Sequence, residues 1–109
     1  MKNFKSPLLK LRKIIRERGG FVNSHSHLDR AYTLRPEDFS LDVNKQLKEK
    51  WKVIDDLKRN TSTEQYYDNI KSAILCQSFF EVQSILSFVD VDSVCEYRPL
   101  LAAQKGKEY

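Results

Sequence analysis

The chain has 109 residues, 40% hydrophobic and 31% charged, with three Gly, three Pro and two His. A chain of this length can bury a core of its own, and this balance excludes a disordered or collagen-like polymer. No apolar run approaches the roughly 20 residues that span a bilayer, and Lys and Arg interrupt the N-terminal apolar positions, so neither a membrane helix nor a secretory leader is expected.

The net charge of +4 is unevenly spread. Residues 1–20 hold seven Lys/Arg and one Glu, and the rest of the chain holds twelve Lys/Arg against fourteen Asp/Glu. The basic character therefore belongs to the N-terminal segment, and a nearly neutral body argues against a broad nucleic-acid face. Cys76 and Cys95 lack CxxC spacing. They suit a reducing cytoplasm rather than a disulfide framework.

Residues 7–18 read as a basic amphipathic helix, with Ser6 as N-cap, Pro7 in the first turn and Leu8, Leu11 and Ile15 at helical spacing. Gly19 and Gly20 end it, one of them in the left-handed conformation. The simplest role for this helix is to pack its Leu/Ile stripe on the domain. Lying on an anionic membrane surface and acting as a targeting segment are the other two readings.

Residues 21–27, Phe-Val-Asn-Ser-His-Ser-His, read as a strand running into a loop, with Phe21, Asn23, His25 and His27 on one face. An irregular stretch containing Pro36 follows to about residue 40. A second helix is expected over 42–58, its stripe made by Leu47, Trp51, Ile54 and Leu57. Thr61 with Glu64 has capping-box spacing before a third helix over 63–80, whose inner face carries Tyr67, Ile70 and Ile74. Tyr66, Tyr67, Phe79 and Phe80 read as core aromatics, and Cys76 as a small packed residue. A second strand is expected over 84–91 and a short helix near 97–105, for which Asp92 is a candidate cap.

Alternating strands and helices point to an α/β fold with a parallel sheet. Two parallel strands cannot cover both faces and protect both edges, so the expectation is that the strands complete their pairing elsewhere.

His25 and His27 carry the chemistry. Two residues apart on a strand, their imidazoles fall on one side, close enough to share an ion. Zinc and iron both suit imidazole, and two ligands make half of a site. Read blandly, they are polar residues at a strand end. Asp29 and Arg30 follow at once: Asp29 is a candidate substrate contact, and the plain alternative is an exposed loop pair.

The run Phe21-Val-Asn-Ser-His-Ser-His-Leu-Asp29 resembles the opening strand of the amidohydrolase superfamily, whose signature there is HxH. It is most similar to the cytosine-deaminase-like branch, where Leu-Asp follows. Ser87-Phe88-Val89-Asp90-Val91-Asp92 is similar to that branch's Thr-His-Val-Asp-Val-Asp, and Arg98 to Glu108 to the helix after it. The likeness covers about residues 20–108. Phe88 stands where the family has His, and Glu81 where a glycine precedes the second strand.

The resemblance implies the first two β/α units of a TIM-type (β/α)8 barrel, itself about 250 residues when complete. On this reading residues 1–20 form a basic helix and residues 21–109 the N-terminal portion of an amidohydrolase-like barrel. His25 and His27 would ligate a divalent metal, zinc or iron, that activates water against a C–N bond of a small-molecule substrate. The family's remaining ligands lie on later strands. Two other classes stay open: a non-catalytic remnant working through self-association or a partner, and a helical interaction module whose HxH is accidental.

Overall fold

The computed structural model describes residues 6–34 and 46–108. The chain order is helix α1 (Pro7–Glu17), strand β1 (Phe21–Ser26), a single 3-10 turn (Leu28–Arg30), α2 (Leu47–Asn60), α3 (Thr63–Phe79), β2 (Val82–Ser87) and α4 (Arg98–Gly106). The beginning of the helix expected from residue 42 lies outside the described residues.

Local chemistry sets most boundaries. Pro7 occupies the first turn of α1, and Gly19 and Gly20 close it at φ +94° and +76°, in the left-handed region glycine adopts without steric cost. At Gly20 a side chain has no room, since a Cβ would come within 2.6 Å of the Glu81 carbonyl oxygen. The capping box lies at α2 rather than α3: Gln46 and Glu49 serve each other's backbone N–H groups. Helix α3 is capped by Ser62, whose Oγ accepts from the Gln65 N–H at 3.1 Å, while the Thr61 hydroxyl donates back to the Leu57 carbonyl.

β1 and β2 pair in parallel, with Phe21 opposite Val82, Val22 opposite Ser84, Asn23 opposite Ile85 and Ser26 opposite Ser87. Irregularities between Phe21 and Val22 and between Asn23 and Ser26 break the ladder. A parallel pair needs a long crossover, and here α2 and α3 lie between the strands in sequence.

The core sits where α3 crosses α4 and the 3-10 turn. Leu28, Tyr66, Ile70, Ala73 and Ala102 are buried together, and Tyr67, Ile74 and Ile85 pack against them. Gly106 lets α4 approach Ile70: a Cβ there would stand 3.2 Å from Ile70 Cγ2.

The expected barrel units are not what forms. The described residues make four helices and an open, two-stranded parallel sheet in a small mixed α/β structure, with no barrel arrangement. Barrel closure needs each strand paired on both sides. Here each strand has one partner among the described residues. β2 also begins two residues earlier than expected and ends at Ser87, so Phe88 to Val91 leave the ladder.

Three expected apolar contacts are also absent. Leu8, Leu11 and Ile14 of α1 are exposed, as are Leu47, Trp51 and, at 40%, Ile54 of α2. Phe79 and Phe80 stand in solvent, stacked edge to face, and Cys76 is exposed. Among the described residues, no helix is long and apolar enough to cross a membrane.

Charge, not apolar burial, attaches α1. The Arg16 guanidinium donates to Glu81 through Nε at 2.9 Å and Nη2 at 2.6 Å. Arg12 adds Nε and Nη2 contacts to Glu81 Oε1 and covers the Phe79 ring. Glu81 is 2% exposed and adopts φ +66°. Its hydrogen bond from Arg16 leads the effects that hold its carboxyl below the usual range, against the opposing pull of burial.

Candidate metal-ligand pair and the neighbouring cavity

β1 delivers His25 and His27 to its C-terminal end, where ligands gather in parallel α/β folds. The strand end is fixed by polar contacts. Phe88 N–H donates to the Ser26 carbonyl at 2.8 Å, and the Ser26 hydroxyl donates to the Leu86 carbonyl. The Ser87 hydroxyl accepts from Leu28 N–H at 3.0 Å and donates to the Phe88 carbonyl. His27 is thus held between two anchored residues, Ser26 and Leu28.

Both imidazoles are exposed, and their ring centroids are 5.5 Å apart in an edge-on arrangement. With Zn–N bonds of about 2.0–2.1 Å, two rings at this separation can reach one ion. Phe88 lies against both, 4.9 Å from the His25 centroid and 5.7 Å from that of His27. Phe88 therefore forms an apolar wall beside the pair. Asn23, on the same strand, accepts from the His25 backbone N–H and donates its amide to Gln77 of α3 at 2.7 Å.

The pair fits a metal as two ligands. Among the described residues no group of three or more His, Cys, Asp or Glu side chains is placed to share an ion, so the described residues offer an ion two ligands here, fewer than the three that catalytic zinc sites take.

Asp29 does not sit in an exposed loop. It is 3% exposed, and its Oδ2 accepts from the Asp90 backbone N–H at 2.9 Å, tying the 3-10 turn to the chain after β2. Around it lies a charged network that the sequence does not announce. Lys58 reaches Asp90 at 2.8 Å and Asp92 at 2.7 Å, and Arg30 reaches Asp90 at 2.9 Å. Burial pulls the Lys58 pKa down, but its hydrogen bonds to the two carboxylates prevail and raise it. Burial likewise pushes Asp90 up, and Lys58 with Arg30 brings it below its ordinary value. The hydrogen bond from Lys58, joined by the Cys95 backbone, holds Asp92 low.

Asp92 caps a turn and not α4: its Oδ1 accepts from the N–H groups of Val94 and Cys95. Arg98, in the first turn of α4, donates to the carbonyls of Arg59, Thr61, Val94 and Cys95, fastening the α2–α3 junction to this turn. Cys95 is fully buried, with Sγ 3.7 Å from the Asp90 carbonyl and 3.8 Å from that of Glu96, and burial pushes its thiol pKa up. A cavity of about 110 Å3 opens beside Asp29, Lys58 and Asp90, with Ile54, Leu57 and Pro99 as apolar walls.

No protein-family model matches the chain. It is similar to an "Uncharacterized protein" of Haemophilus influenzae, 37% identical over 98 residues. That stretch is 90% of this chain and 36% of the relative, so the chain spans about a third of the length of the curated relative it matches.

Sequence reasoning singled out His25, His27 and Asp29, and the structure brings the two histidines together while burying Asp29 apart from solvent. It missed Lys58 and Arg98 as parts of the neighbouring network and Tyr66 as a lining residue of the cavity. Lys58 is one of several lysines in a Lys/Asp-rich helix, and only its tertiary position separates it from the rest.

Proposed function

We propose that the chain supplies the first metal-ligand pair, His25 and His27, of a metal-dependent hydrolase acting on C–N bonds of small molecules, of the amidohydrolase or deaminase type. Two exposed imidazoles 5.5 Å apart at the end of a parallel strand carry this reading. The remaining ligands and the acid/base groups come from polypeptide beyond the described residues, which agrees with a relative about three times as long. A zinc or iron ion held there would supply an activated water at neutral pH. The chain's own share is to hold the two imidazoles side by side and to keep water off one side through Phe88. The reading sets the protein in the cytoplasm, where Cys76 and Cys95 stay reduced.

A Co(II) titration of the 109-residue chain, followed by absorption, tests the pair. One ion should bind per chain, weakly, and His25→Ala or His27→Ala should remove the signal. Binding unchanged in both variants would overturn the assignment. Assaying the Haemophilus relative for metal-dependent release of amine or ammonia from amides and amidines tests the reaction class. Activity that survives removal of metal by chelation would exclude it.

A non-catalytic role through self-association is the second reading. The open sheet favours it, because each strand presents an unpaired edge among the described residues and Val22 and Leu86 stand more than half exposed. A concentration-dependent dimer without metal affinity would select it.

A further inference from the structure

The cavity beside Asp29 contains a chemical demand that the structure leaves unmet. Asp29 Oδ2 is satisfied by the Asp90 N–H, but Oδ1 is the one side-chain N or O atom among the described residues that is buried with no hydrogen-bond partner. A buried acceptor in that condition costs free energy unless a donor meets it. The side chain belongs to a residue only 3% exposed that lines a cavity of about 110 Å3.

Charge decides what kind of donor suits it. Arg30 is paired with Asp90, and Lys58 is shared between Asp90 and Asp92. Neither cation is paired with Asp29. The next cation, Arg98, is occupied by four backbone carbonyls. Asp29 is thus the carboxyl of this cluster that none of these side chains reaches, and its free oxygen needs an N–H or O–H. A metal ion is a poor match, since no group of three ligating side chains forms among the described residues. The other walls are apolar: Ile54 and Leu57 of α2, and Pro99 of α4. Tyr66 also lines the cavity, and burial pushes its hydroxyl pKa up.

We infer that this cavity is a binding site for a small organic cation bearing N–H groups, an alkylammonium or amidinium, whose protonated nitrogen donates to Asp29 Oδ1 and whose carbon portion lies against Ile54, Leu57 and Pro99. Such a contact is a charge-assisted hydrogen bond in a water-poor setting, the stronger kind. Neither histidine lines the cavity, so this site stands independently of the metal pair.

Methylammonium and acetamidinium chlorides are the probes, added to the 15N-labelled full chain without metal and followed by amide chemical shifts. Both should give saturable shifts at Asp29, Leu57 and Asp90. Tetramethylammonium, with no N–H, and sodium at equal ionic strength should give none. Asp29→Asn keeps an oxygen for the Asp90 N–H and removes the charge, and should weaken binding at least about tenfold, the equivalent of one charge-assisted hydrogen bond. Ile54→Trp enlarges a wall of the cavity at a partly exposed position, leaves the Asp29 carboxyl in the sequence, and should block binding even if Asp29→Asn fails to fold. Absence of saturable shifts, equal shifts with tetramethylammonium, or unaltered affinity in Ile54→Trp overturns the proposal. The outcome leaves the histidine pair untouched, because the probes bind no metal.

Discussion

The half of the molecule formed by α3, α4 and the 3-10 turn is held by apolar burial, whereas the half that carries α1 and the open end of the sheet is held by charge. In the first, Tyr66, Ile70 and Ala102 are nearly inaccessible, and Gly106 brings α4 against Ile70. In the second, α1 buries no residue at all, and two arginines gripping Glu81 fasten it. The two modes respond differently to mutation, salt and pH. Apolar burial has no charge to screen or titrate, while ion pairs with a solvent-facing partner are screened and titrate.

The comparison breaks most sharply at Ile70. Ile70→Ala removes the centre of the apolar half and should cost about 2–5 kcal/mol in urea unfolding, with no dependence on salt. A loss below 1 kcal/mol would mean that the α3–α4 contact is not the core. Glu81 comes next. Glu81→Ala removes the arginine clasp and leaves a non-glycine residue at φ +66°. Glu81→Gly removes the same clasp but restores the residue type suited to that backbone. The melting temperature should therefore fall less with Gly than with Ala, and α1 amides should lose exchange protection equally in both. Equal melting temperatures would show that the backbone conformation contributes nothing.

Lys58→Met tests the charged joint near the cavity. About 1 kcal/mol should be lost at low salt, and less at high salt. The pH profile sharpens the same point. Asp90 and Asp92 have depressed pKa values, so their contribution is complete above the ordinary carboxylate range. It is lost as pH falls through the lowered folded values. Lys58 is raised above its ordinary 10.5, so its share is complete below that value and is lost as pH climbs through the raised one. Stability from this joint should be flat between pH 5 and pH 9 and decline on either side. Urea midpoints across pH should show both limbs flattened in Lys58→Met. The smallest effect belongs to the exposed stripe of α1: Leu11→Ser should change stability by no more than about 0.5 kcal/mol, since Leu11 is 53% exposed.

The parts of this architecture written in local sequence were legible. Ser6-Pro7 and Gly19-Gly20 bracket α1, and Phe21 to Ser26 forms the expected strand, although its burial does not alternate. The apolar stripes of α1 and α2 have helical period, but period does not reveal whether a partner surface is present, and here Leu8, Leu47 and Trp51 face solvent. The C-terminal limit of β2 was overextended because Phe88-Val-Asp-Val is strand-like in composition. Asp29 and Asp92 draw the backbone of this segment into turns instead. The barrel expectation came from motif likeness, which carries no information about lateral strand pairing. Glu81 is the instructive mismatch: the departure from glycine noted in the sequence falls on a left-handed residue, and two arginines sixty-five or more positions away hold its side chain.

The unequal setting of the two thiols gives the molecule a chemical clock. Cys76 stands exposed on α3, and Cys95 is sealed beneath the turn that precedes α4. An alkylating reagent consumes the first at its intrinsic rate. The second waits for the Asp92 turn to lift, because thiolate character and access are both withheld until then. The ratio of the two rates measures how often that turn opens, without any label being introduced.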